Sequence, residues 1–215
     1  VTAYFVKTPF QPEFELRDAQ KLASQLKASL KIIELNVLED STIASNPANR
    51  CYYCKKALFR ALTDQAARDG YSLIFDGTNA SDQADDRPGM KALTELKVRS
   101  PLRECQLDKQ KIRELSRQAG LFTYDKPSYA CLATRVPTGS PITSELLSKI
   151  ERAEQNLSQL GYRDFRIRIF HGCARLQLLE SQFSQAIEQK NLLCQILSPD
   201  FEDVLLDLTP RKGDD

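Results

Sequence analysis

The chain has 215 residues, with 30 basic and 29 acidic side chains, six cysteines and a single histidine, His171. That length buries a real core and suits two unequal domains, while the balanced charge excludes a general field for nucleic acid or membrane. Six cysteines are too few for a disulfide scaffold, one histidine disfavours hydrolytic triads and two-histidine metal sites, and no leader or membrane-length apolar run occurs, so a cytoplasmic protein is expected.

Residues 1–6 (VTAYFV) read as a buried parallel strand that stops at Thr8-Pro9. Over 12–28, Ala19, Leu22, Ala23 and Leu26 recur at helical spacing, which predicts an amphipathic crossover helix. Residues 30–35 (LKIIEL) are the next strand. A polar loop then delivers NPANRCYYCKKALF, in which Cys51 and Cys54 share one face of a first helical turn. Two soft sulfur ligands so spaced can grip one metal centre, and Arg50, Lys55 and Lys56 favour and screen thiolates. Such a pair needs further ligands, and the best candidate is Cys131 in PSYACLATR; Cys105, Cys173 and Cys194 read as core fillers. Tyr52, between the cysteines, either stacks on an aromatic cation or packs in the core, and packing is the favoured reading. The helix ends at Asp69-Gly70.

Residues 72–75 (SLIF) are a short strand ending in Asp76-Gly77-Thr78-Asn79. Open parallel sheets bind ligands past the carboxyl ends of their strands, so the tetrad is either a recognition segment or a plain polar turn. A charged loop (81–89), a short helix to Leu96, an edge strand (98–102) and a helix over 109–119 capped by Asp108 follow. Alternation of strand and helix predicts a doubly wound α/β sheet.

Past Pro127 the chain is rich in proline and glycine, which places a boundary near Gly139: an α/β domain over 1–138 and a small α+β domain over 139–215. Thr143 begins a helix with Leu146, Ile150, Ala153, Leu157 and Leu160 inward, ended by Gly161. On it Glu151 and Glu154, one turn apart, face either a cleft or solvent. Residues 165–170 alternate, with Phe165, Ile167 and Ile169 on one face and Arg166 and Arg168 on the other. Two arginines pointing one way suit a forked grip on phosphate or carboxylate, or are simply the wet face of a strand. A hairpin partner (174–179), a helix (181–196) and a strand (203–208) complete the unit.

In this order NPANRCYYCKKALF, FDGTNASD, VRSPL, YDKPSYACLATRVPTGSPIT and FRIRIF closely resemble the ATP-dependent sulfur transferases of nickel-pincer nucleotide cofactor biosynthesis, the cofactor of lactate racemase, over almost the whole chain. The resemblance implies an adenine nucleotide α-hydrolase fold, a Rossmann-like parallel sheet of PP-loop type, with a smaller C-terminal domain for substrate binding and oligomerisation, and hence a homo-oligomer. It implies that ATP with magnesium adenylates a carboxylate of pyridinium dicarboxylic acid mononucleotide, that an enzyme-borne sulfur attacks, and that AMP leaves as thiocarboxylate forms, twice over. Cys131 matches the sulfur-donating position. Members without the C-x-x-C give up that cysteine's own sulfur; members with all three cysteines are similar in holding a [4Fe–4S] cluster, here on Cys51, Cys54 and Cys131, fed by a sulfide donor. Zinc completed by Cys105 or His171 is the alternative centre. Arg166 and Arg168 match a phosphate-holding R-x-R, Thr134 and Arg135 a substrate-contacting pair with threonine where serine is usual, and Asp76, Thr78 and Asn79 a segment beside the adenylate.

The family's S-G-G-x-D-S loop, which cradles the pyrophosphate of ATP, is not among these residues. It is expected ahead of Val1 together with a first strand, so the 215 residues by themselves are not expected to adenylate. A tRNA thiolation enzyme of the same superfamily is disfavoured by the balanced charge. A non-catalytic metal-binding remnant is the reading from another class.

Overall fold

The computed structural model describes residues 1–82 and 88–212, which form two compact units, Val1–Lys126 and Pro127–Asp215. In the first, β1 (Ala3–Lys7), α1 (Glu13–Gln25) and β2 (Leu30–Glu34) make the expected crossover, with β1 and β2 parallel and Phe5 opposite Ile32. Pro12 caps α1 with φ already near −66°, and Glu13 and Glu15 in the first turn complement the positive end of the helix dipole. Asp40 caps the short α2 (Ser41–Ala44) by accepting from the amides of Thr42 and Ile43. The long α3 (Arg50–Arg68) follows and packs on α4 (Pro88–Glu95).

Two expected strands are reduced to a single contact: residues 72–75 and 98–102 meet only in an isolated parallel bridge, Phe75 to Arg99. Pro101 explains the second case, because its fixed φ and missing N–H suit the start of a helix, and it opens α5 (Pro101–Glu104). Asp108 caps α6 (Lys109–Gln118) through the Lys111 amide, as read from the sequence. Part of the charged loop placed at 81–89 lies outside the described residues.

The second unit contains α7 (Ser144–Gln159), β3 (Arg166–Phe170), β4 (Cys173–Gln177), α8 (Phe183–Glu188), α9 (Lys190–Leu197) and β5 (Val204–Leu206). The sheet order is β3-β4-β5, antiparallel then parallel. His171 and Gly172, at φ 48° and 79°, form the two-residue turn that right-twisted hairpins prefer. Leu157, Ile167, Leu176, Leu178 and Leu197 centre the core. The single helix expected over 181–196 is broken at Gln189, whose backbone leaves the helix (φ −92°, ψ 12°) and whose side chain accepts the Tyr162 hydroxyl.

The compact unit begins at Pro127, earlier than the boundary near Gly139 suggested by composition. Proline and glycine signal irregular backbone, not independence, and the segment from 127 to 138 is tied into the second unit by side chains described below. Among the described residues, no helix is long and apolar enough to cross a membrane.

Candidate functional site

In the first unit the C-x-x-C sits where the sequence puts it, on the opening turn of α3, with Cys51 exposed and Cys54 buried. The approach is fixed by Asn46, buried with φ 56°, whose side-chain oxygen accepts from Arg50 Nη1 at 2.6 Å. Arg50 Nη2 in turn lies 3.7 Å from the Cys51 sulfur. A guanidinium is thus locked against one thiol. Tyr52 is half-buried: its hydroxyl donates to Glu95 (2.8 Å), and Lys56 lies 5.3 Å from its ring centre. Within each unit, no group of three His, Cys, Asp or Glu side chains among the described residues gathers as metal ligands.

The Asp76 tetrad follows the Phe75 bridge. Asp76 accepts from the Thr78 hydroxyl and amide and, at 2.6 Å, from the Ser100 hydroxyl, while Asn79 accepts from the Ser81 amide. Both Asp76 oxygens therefore serve the turn and tie it to the neighbouring segment, a full account of the tetrad as local structure. An open depression on α6, lined by Gln110, Arg113, Glu114, Arg117 and Tyr124, holds none of the expected site residues.

The second unit holds the densest chemistry. Cys131, half-buried, caps a single 3₁₀ turn, Leu132–Arg135, so the thiol and the Arg135 guanidinium belong to one rigid piece of backbone. The Thr134 hydroxyl donates to the Cys131 carbonyl at 2.8 Å and accepts from Arg135 Nη1 at 2.9 Å. Arg135, with no side-chain exposure, makes a forked pair with Glu154, Nε to Oε1 at 2.8 Å and Nη2 to Oε2 at 3.0 Å. Glu154 also accepts from the Tyr129 hydroxyl and the Ile167 amide, joining the 127–138 segment, α7 and β3. Burial opposes the charge on Arg135, but the bond to Glu154 and its charge win and hold the guanidinium pKa above its ordinary value. Burial, with the Glu154 charge next, pushes the Tyr129 hydroxyl far above the usual tyrosine range. Its ring lies between Arg135 (4.5 Å) and Arg166 (5.3 Å).

Arg166 and Arg168 share a face, as the alternation requires, and that face is covered at the Arg166 end while Arg168 is only partly buried. Arg166 is buried, with Nη1 donating to the Phe165 carbonyl and Nη2 to the Ser128 carbonyl, each at 2.6 Å. Arg168 Nε donates to Gln177 and Nη1 to the Thr134 carbonyl, again at 2.6 Å. The loop around Cys131 reaches over both arginines through the Ser128 and Thr134 carbonyls, so Arg166 is not on an open strand face. Burial first, then repulsion from Arg135 and Arg211, holds the pKa of both arginines below the ordinary value. The unit therefore brings together Cys131, Thr134, Arg135, Arg166 and Arg168. Cys51 and Cys54, with Asp76, Thr78 and Asn79, belong to the other unit.

Over 209 residues the chain is 31% identical to the pyridinium-3,5-bisthiocarboxylic acid mononucleotide synthase of Lactiplantibacillus plantarum, covering 97% of this chain and 76% of that one. The chain belongs to this synthase family. An uncharacterized protein of Methanocaldococcus jannaschii is 32% identical over 186 residues, 86% of this chain and 71% of that one. Another, from Synechocystis, is 38% identical over 178 residues, 83% of this chain, which spans 66% of the length of that relative. No protein-family model matches the chain.

Two residues of this cluster carry more than the sequence suggested. Glu154 is a buried hub, and the signal was its place four residues after Ile150 and three before Leu157, on the inward stripe of α7. Tyr129 had no such signal, because its position depends on a loop with no period. Asp164, which pairs with Arg211 at 2.9 Å, and Asp207, which pairs with Arg175 at 3.0 Å, likewise come from turns and strand ends.

Proposed function

We propose that this chain is the substrate- and sulfur-handling part of an ATP-dependent sulfur transferase acting on pyridinium dicarboxylic acid mononucleotide, with the bisthiocarboxylic acid mononucleotide as product for nickel-pincer cofactor synthesis. The observation that carries the reading is the turn that holds Cys131 at one end and Arg135 at the other, with Arg168 bonded to its Thr134 carbonyl. Among the described residues, Arg135, Arg166, Arg168, Arg175 and Arg211 around that turn have only Glu154, Asp164 and Asp207 as ion-pair partners. A thiol in a field of excess guanidinium charge suits a substrate bearing a phosphate and two carboxylates.

In this reading ATP with magnesium converts one carboxylate to an acyl adenylate. Sulfur attacks the acyl carbon, the bond from that carbon to the AMP oxygen breaks, and AMP departs with the electron pair. Repetition on the second carboxylate completes the product. Thr134 and Arg135 orient the carboxylate, and Cys131 presents sulfur. Where its own sulfur is transferred, loss of the cysteine α-proton breaks the Cβ–Sγ bond of the resulting thioester and leaves dehydroalanine, whereas sulfide held beside the thiols gives the thiocarboxylate directly. Asp76, Thr78 and Asn79 stand beside the adenylate in a first unit of PP-loop type. Since the S-G-G-x-D-S pattern does not occur in the 215 residues, the reaction is proposed for a protein in which this chain is joined to such a loop.

The thiols of Cys51 and Cys54, one helical turn apart beside a fixed guanidinium, fit one edge of a sulfur-ligated centre, and the ligands proposed for a [4Fe–4S] cluster are these two with Cys131. Such a cluster supplies nucleophilic sulfide without consuming the protein. The test is anaerobic incubation of the loop-bearing protein with ATP, magnesium, sulfide and the dicarboxylic mononucleotide. AMP release with oxygen-for-sulfur exchange in the product, read by mass spectrometry, is expected. ATP cleavage stimulated by tRNA and not by the mononucleotide would overturn the reading in favour of tRNA thiolation.

A further inference from the structure

Ser128 and Thr134 stand three residues before and three residues after Cys131, and β3 holds the carbonyl of each. Arg166 Nη2 donates to Ser128 and Arg168 Nη1 to Thr134, both at 2.6 Å. A long arginine side chain fixes a carbonyl only if its own rotamer is fixed, because it otherwise keeps considerable freedom. Both arginines are fixed from one place, the segment that follows β5, residues 207–211.

The first line of contact starts at Arg211. Its amide donates to the Leu178 carbonyl at 2.8 Å, and its Nε and Nη2 fork onto the backbone and side-chain oxygens of Asp164, each at 2.9 Å. Asp164 is 8% exposed in its side chain and sits in the left-handed region at φ 47°, a conformation that persists where surrounding contacts hold it. The same Asp164 oxygen lies 3.6 Å from Arg166 Nη1. Arg211 thus reaches the Ser128 carbonyl through Asp164 and Arg166.

The second line starts at Asp207. Its amide donates to the Leu176 carbonyl at 2.9 Å, and its Oδ2 accepts from Gln177 Nε2 at 2.9 Å while pairing with Arg175 at 3.0 Å. With its NH₂ end on a carboxylate, the Gln177 amide presents its oxygen the other way, and that oxygen accepts from Arg168 Nε at 2.6 Å. The reverse orientation would set NH₂ against a guanidinium and C=O against a carboxylate. Asp207 thus reaches the Thr134 carbonyl through Gln177 and Arg168.

We propose that residues 207–211 are a two-point strap for the loop carrying Cys131, with Asp207 and Arg211 as positioning residues that act on the thiol from either side. The service of this strap to sulfur transfer rests on the function proposed above; the strap itself does not. A loop held at one end pivots about it, whereas a loop held at both ends keeps its thiol in place. Displacement of a reacting group by about 1 Å costs about a hundredfold in rate.

The experiment is hydrogen exchange on the 215-residue chain, paired with the sulfur-transfer assay on the loop-bearing protein. Arg211→Gln and Asp207→Ala are each expected to speed exchange over residues 128–135 about tenfold relative to the β4 amides, the loss of one hydrogen bond to a charged group. Arg211→Lys, which keeps the charge and one bond to Asp164, is expected to show a smaller increase, and carries the same test should Arg211→Gln fail to fold. In an Arg166→Gln background the Arg211→Gln effect on this segment is expected to vanish, because the two act in one line, whereas the effects of Arg211→Gln and Asp207→Ala multiply. In sulfur transfer Arg211→Gln is expected to lower kcat at least tenfold with KM for the mononucleotide within twofold, and Arg211→Lys to restore part of kcat. Exchange over 128–135 that rises no more than that of β4 in both strap variants overturns the proposal. So does an Arg211→Gln effect on that segment that is undiminished in the Arg166→Gln background. If exchange responds as expected but the parent forms no thiocarboxylate, the strap stands and the substrate reading falls. If the parent is active and both strap variants keep its kcat, the positioning role falls and the substrate reading stands.

Discussion

Replacement of Glu154 tests whether the hub at the foot of the Cys131 loop is what holds the second unit together. Its side chain is 6% exposed, that of Arg135 is fully buried, and four donors converge on its two oxygens. Glu154→Ala leaves Arg135 charged and buried with the Ala130 carbonyl at 2.7 Å and the Thr134 hydroxyl as its nearest acceptors, and strands the Tyr129 hydroxyl and Ile167 amide. Removing one partner of a buried ion pair costs about 3–5 kcal/mol. With a urea slope of about 2 kcal/mol/M, the midpoint of the transition falls by about 2 M. Glu154→Gln keeps the shape and one acceptor oxygen but turns an amide toward Arg135, so the loss is about 1.5–3 kcal/mol. Far-UV circular dichroism gives the midpoints, and hydrogen exchange at the Ile167 amide reports the same network locally. A Glu154→Ala midpoint within about 0.5 kcal/mol of the parent, the scatter of ordinary surface substitutions, would refute the reasoning.

Tyr4 donates to Asp69 at 2.5 Å, and burial first, then that bond, raise its pKa to about 12. Because the folded value exceeds the unfolded one of about 10, the contribution is fully present below pH of about 10 and lost as pH rises to about 12; tyrosinate absorbance with Tyr4→Phe as control measures it, and titration of Tyr4 at the ordinary value contradicts it. Anaerobic reconstitution with iron and sulfide is expected to give iron–sulfur absorption that Cys51→Ala and Cys54→Ala abolish. Absorption that survives both substitutions would remove these two thiols from the ligand set.

The sequence made legible what depends on short-range period and capping. The crossover at β1 and β2, the placement of the C-x-x-C on the first turn of α3, and the caps at Asp108 and Thr143 all follow from local rules. Alternation correctly put Arg166 and Arg168 on one face but could not say what lies over it, since that depends on the Ser128 and Thr134 carbonyls, 38 and 34 residues distant. The same limit hid the hub: Glu154 lies on an apolar stripe, but its partner Arg135 sits 19 residues away in a loop without period. The start of the second compact unit at Pro127 depends on contacts of the same long-range kind. Proline and glycine between 127 and 140 describe the shape of the backbone, whereas the side chains of Tyr129 and Arg135 decide which unit it joins.

The most direct test is sulfur transfer by Cys131→Ala in the loop-bearing protein, with AMP and product followed in the same anaerobic reaction. The account predicts that ATP cleavage continues while no oxygen in the mononucleotide is exchanged for sulfur. Thiocarboxylate formed at the parental rate without that thiol would contradict it.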